Sequence, residues 1–86
     1  MNREFVLFHI REAAEELSRT VKEMEADPEY DSGEFLVAIQ HAYHHVNSAW
    51  NGQDLPSLRS DNLTDPLWNR LGEFPADFPL MRLPSQ

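Results

Sequence analysis

The chain has 86 residues, no cysteine, and 15 Asp plus Glu against 7 Lys plus Arg, a formal net charge of −8. Without thiols it forms neither a disulfide framework nor a thiolate zinc site, and thiol catalysis is excluded. So acidic a chain repels nucleic-acid phosphates and anionic membrane surfaces, which are bound through clustered Lys and Arg, and attracts instead a basic protein partner or a cation.

A single domain over residues 1–86 is expected, with a modest core, because a chain this short buries only about two-thirds of the surface its unfolded form exposes. The apolar run Phe5–Phe8 is too short for a signal-peptide core, and no stretch approaches the roughly twenty residues of a membrane span. These features predict a soluble protein of a reducing cytoplasm.

From residue 3 to 25, Val6, Ile10, Ala14, Leu17, Val21 and Met24 recur at steps of three and four, which lines one face of a helix. The opposite face carries Glu12, Glu15, Arg19, Lys22 and Glu23, with Glu15 and Arg19 in the favourable i,i+4 order. Phe5 and Phe8 lie off the stripe, so a strand over residues 4–10 is the alternative there. Residues 26–33 read as a turn around Pro28 and Gly33.

A second helix is expected over 32–51, opened by Asp31 as cap with Glu34 three residues on, and stopped by a left-handed Gly52. Phe35, Ile39, Ala42, Val46 and Ala49, flanked by Leu36, Tyr43 and Trp50, give it a broad apolar face. Two such helices joined by a short turn make an antiparallel hairpin that cannot cover that face alone. Either the C-terminal third or a second hairpin, completing a four-helix bundle, must do so.

Further on, Thr64 and Asp65 before Pro66, with Gly72 behind, predict a short helix over 65–71 that docks through Leu67, Trp68 and Leu71. Residues 73–86 place Phe74, Phe78 and Leu83 each before a proline, which predicts an extended strap. The fold class is therefore all-α: a helical hairpin, a short third helix and a Pro-rich C-terminal tail, packing as a helical bundle dimer.

The segment Ala38–Gly52 holds His41, His44 and His45. At about 100° per residue, His45 falls on the edge of the apolar face, His41 beside it and His44 on the far side. His41 and His45 are spaced to share a metal ion, with Glu16 of the first helix as the best third ligand, while His9 is expected near Trp50. No glutamate stands inside the His41–His45 span as general base, and the Glu-x-x-His pattern of di-iron bundles is absent. Histidines flanking a core account for the cluster more simply, so no metal or cofactor is assigned. Serine triads and phosphate-cradling glycine loops also lack their sequence context.

Tyr43, His44, Asn47, Trp50 and Asn51 form one lateral strip that a partner protein could read. The function expected is a small acidic interaction or regulatory module that self-associates and is not an enzyme. The runner-up is a metal-binding bundle or metal-dependent hydrolase using His41, His45 and Glu16.

Overall fold

The structure is a computed structural model and describes residues 1–55, 64–79 and 81. It contains α1 (Arg3–Ala26), α2 (Ser32–Gly52) and α3 (Asp65–Leu71), and no strand occurs among the described residues. Residues 4–10, where a strand was the alternative, are helical because Asn2 caps α1, its side chain accepting from the Phe5 N–H at 3.2 Å. Asp31 caps α2 in the same way, accepting from the Glu34 N–H at 2.9 Å, and Thr64 caps α3, accepting from the Leu67 N–H at 3.4 Å. Between α1 and α2 the chain reverses over a turn closed by the Tyr30 N–H on the Asp27 carbonyl at 3.1 Å. At the other end of the hairpin the Asn2 N–H donates to the Gln53 carbonyl, so the two long helices lie antiparallel.

The surface by which they meet differs from the expected one. Phe5, His9, Ala13 and Thr20 of α1 are buried, as are Ala38, Ala42, His45, Ser48 and Ala49 of α2. The contact is thus made of small and polar side chains. Phe5, which lies off the expected stripe, is 1% exposed, and the largest fully buried side chains among the described residues are Phe5, His9 and Ser48. By contrast the large apolar stripe, read as the core face, lies open: Ile10, Leu17, Val21, Met24, Phe35, Ile39, Val46 and Trp50 are between 38% and 55% exposed. The cause is steric. Alanine lets two helix axes approach closely, and the wide residues are rotated about a quarter turn to one side.

Gly52 also departs from expectation. It is the last residue of α2 and buried, no described glycine has a positive φ, and Gln53 ends the helix in right-handed geometry. Gly52 is therefore not a left-handed stop. The pairing expected between Glu15 and Arg19 is replaced by one between Glu16 and Arg19 at 2.5 Å.

α3 packs on the flank of α2 opposite the open stripe, with Leu71 buried. The chain then returns along α2, Phe74 stacking near Tyr43 at 6.5 Å between ring centroids and Phe78 meeting Trp50 edge-on at 5.0 Å. This stretch is not uniformly extended, because the Phe78 N–H donates to the Pro75 carbonyl at 3.3 Å and closes a turn. The remainder of the expected strap, residue 80 and residues 82–86, lies outside the described residues.

Candidate functional site

Two features on opposite sides of the hairpin stand out. The first is a cluster of imidazoles. His9 sits one turn below Ala13 on the face of α1 that meets α2, and His45 sits three residues beyond Ala42, so their rings meet in the helix interface. Their Nδ1 atoms are 2.8 Å apart, which requires one to carry a proton and donate while the other accepts. His9 is fully buried, packed edge-on to Phe5 and Phe8, and its Nε2 has no hydrogen-bond partner among the described residues. Burial, with His45 and His44 nearby, pushes the His9 pKa down to about 4, and burial also lowers His44 and His45. The pair is neutral near pH 7.

His44 lies on the flank of α2 that receives α3. Its ring stacks on Trp68 with centroids 4.1 Å apart, and its Nδ1 shares a hydrogen bond of 3.2 Å with the Ser48 hydroxyl. A side chain at Gly72 would run into this ring, so glycine there is required by the close approach of α3 to His44. Asn47 is buried and donates to the Gly72 carbonyl at 3.0 Å, while Asn51 donates to the carbonyls of Leu71 at 2.6 Å and Glu73 at 2.8 Å. The strip of Tyr43, His44, Asn47, Trp50 and Asn51 is therefore met along its length by the chain's own α3 and the residues after it.

For the metal-binding trio, His41 and Glu16 come together, Nδ1 to Oε2 at 3.5 Å, and the His41 and His45 rings lie 5.0 Å apart. The Nδ1 of His45 is directed at His9, however, and the Glu16 carboxylate is also held by Arg19. Among the described residues no three His, Asp or Glu side chains are arranged to hold one metal ion. His9 lies against His45 and not, as expected, beside Trp50; Val6 and Ile10 occupy that place.

The second feature is the open apolar face. Val6 and Ile10 of α1 and Val46 and Trp50 of α2, with Phe78, line one groove of about 240 Å³ at the end of the hairpin where the chain begins. Both exposed stripes therefore lie on the same side of the molecule. Helical spacing carries them on through Leu17, Val21 and Met24 on α1 and through Ile39 and Phe35 on α2. None of the six glutamates of α1 falls on this stripe, and α2 contains a single acid, Glu34, and neither Lys nor Arg.

The pairing of His9 with His45 and the burial of Phe5 are the main features that sequence reading missed. A signal was present. Phe5, His9, Ala13 and Thr20, and Ala38, Ala42, His45, Ala49 and Gly52, also recur at helical steps, as a second stripe of mostly small residues beside the apolar one. No protein family, curated protein or solved structure matches the chain. Among the described residues, no helix is long and apolar enough to cross a membrane.

Proposed function

We propose that this protein is a small acidic interaction module that acts as a self-associating helical bundle in a reducing cytoplasm, without catalytic chemistry of its own. The observation that carries this reading is the open face shared by α1 and α2: continuous, apolar, and free of acids in a chain that has fifteen. Large exposed apolar patches depleted of charge are the mark of protein interfaces. The monomer's own helix contact, built from Phe5, alanines and a histidine pair, leaves the wide aliphatic side chains outside, so covering the stripe adds burial that this contact lacks. Full burial of each Leu, Ile, Val or Phe contributes about 1.5–3 kcal/mol.

The test is molar mass by light scattering across a hundredfold range of concentration. A dimer is expected, and Val46→Glu, which sets a charge in the middle of the stripe, is expected to give a monomer with unchanged helical circular dichroism. A wild-type chain that stays monomeric at millimolar concentration would defeat the proposal. The metal-binding reading, which the contact of His41 with Glu16 favours, predicts instead that zinc raises the melting temperature of wild type and not of His41→Ala.

A further inference from the structure

The two exposed stripes have an internal symmetry that selects one way for two copies to meet. On α1 the stripe runs Val6, Ile10, Ala14, Leu17, Val21 and Met24, and on α2 Phe35, Ile39, Tyr43, Val46 and Trp50, with Ala13 and Ala42 buried beside it in the helix contact. Each reads almost the same in both directions. About the midpoint of α1, Val6 mirrors Val21, Ile10 mirrors Leu17 and Ala13 mirrors Ala14. About the midpoint of α2, Phe35 mirrors Trp50 and Ile39 mirrors Val46. Spacing and size are preserved at the outer pairs, β-branched or aromatic at the ends and aliphatic between, whereas the centre of α2 sets Ala42 against Tyr43.

These two midpoints also lie at the same level of the hairpin. The contact of His9 with His45 and that of Glu16 with His41 bracket them, one on each side. A line across the apolar face at that level passes both midpoints. Rotation by half a turn about this line lays α1 on α1 and α2 on α2 of a second copy, each antiparallel, and superimposes each stripe on its own mirror.

Resting on the self-association proposed above, we infer that the occupant of the open face is a second copy of this chain. It is docked antiparallel about a two-fold axis that crosses between Ala13 and Ala14 and between Ala42 and Tyr43. The second copy's Phe35 arrives beside Trp50, at the groove lined by Val6, Ile10, Val46, Trp50 and the chain's own Phe78. The exposed parts of the stripe residues amount to on the order of 700 Å², close to the roughly 800 Å² per partner of a stable interface.

Isologous contacts of this kind close on themselves and yield a dimer, not a filament.

The native chain has no cysteine, so single spin labels can be attached at Ser18→Cys, Leu7→Cys and Glu25→Cys, all exposed and just outside the stripe. At a rise of 1.5 Å per residue, the inferred axis separates the two copies of a label along the helix by about 14 Å at position 18, about 20 Å at 7 and about 35 Å at 25. Pulsed dipolar spectroscopy is expected to give a distance that lengthens in that order, by up to about 21 Å from Ser18 to Glu25. Equal distances at the three sites in a sample that light scattering shows to be dimeric would overturn the antiparallel register and leave self-association standing. A monomeric mass for the unlabelled chain would overturn both.

Discussion

His9 and His45 couple the helix contact to pH. Unfolded, His9 takes up a proton at its ordinary value of 6.5; folded, it resists protonation down to about 4. Between those values the unfolded chain binds more protons, so stability conferred by the neutral pair is complete above pH 6.5 and falls as pH drops toward 4. For a shift of this size the loss is about 3 kcal/mol. Urea unfolding at pH 7 and at pH 4.5 should show this decline in wild type and a much shallower one in His9→Phe, which keeps the ring packed against Phe5 and Phe8. Equal slopes in the two proteins would mean that the carboxylates, and not the imidazole pair, govern the acid limb. Among these residues only the kind of chemistry was legible in the sequence. That His9 would meet His45 depended on how far each helix is rotated about its axis, and a list of spacings leaves that angle open.

At the scale of elements, the bounds of α1, α2 and α3 follow within a residue from apolar periodicity, from caps at Asp31 and Thr64, and from Pro28 and Pro66. These are local effects, and local sequence carries them. The docking of α3 is another matter, since it rests on amide side chains twenty or more residues away. Asn51 alone holds the carbonyls of Leu71 and Glu73, at the helix end where orphan acceptors need donors. Asn51→Ala removes both bonds and is expected to cost about 1–2 kcal/mol of α3 docking. Trypsin cleavage after Arg70 should then be several-fold faster, while far-ultraviolet circular dichroism stays nearly constant. If the cleavage rate is unchanged, the stack of Trp68 on His44 is sufficient to hold α3 without the asparagine.

Over the whole molecule, α3 packs on one side of the hairpin, and the oily side is met at one end by Phe78 of the returning chain and is otherwise open among the described residues. A protein that completes its core with a second copy has a stability tied to its own concentration. The melting temperature of wild type is therefore expected to rise by several degrees between micromolar and hundred-micromolar protein, whereas that of Val46→Glu stays flat. A wild-type melting temperature independent of concentration would show that the stripe contributes nothing through association.

The chain's order of residues by itself determined that two long helices and a short one form, where each begins, and that hydrocarbon too broad for one hairpin to cover would be left over. Those outcomes depend on backbone preferences and on periodicity within each segment. Only the tertiary structure decided which side of each helix turns inward. The stripe of mostly small and polar residues, with Phe5 and the paired imidazoles, became the inner contact. The oily stripe, which periodicity had marked as the core, was left to face outward.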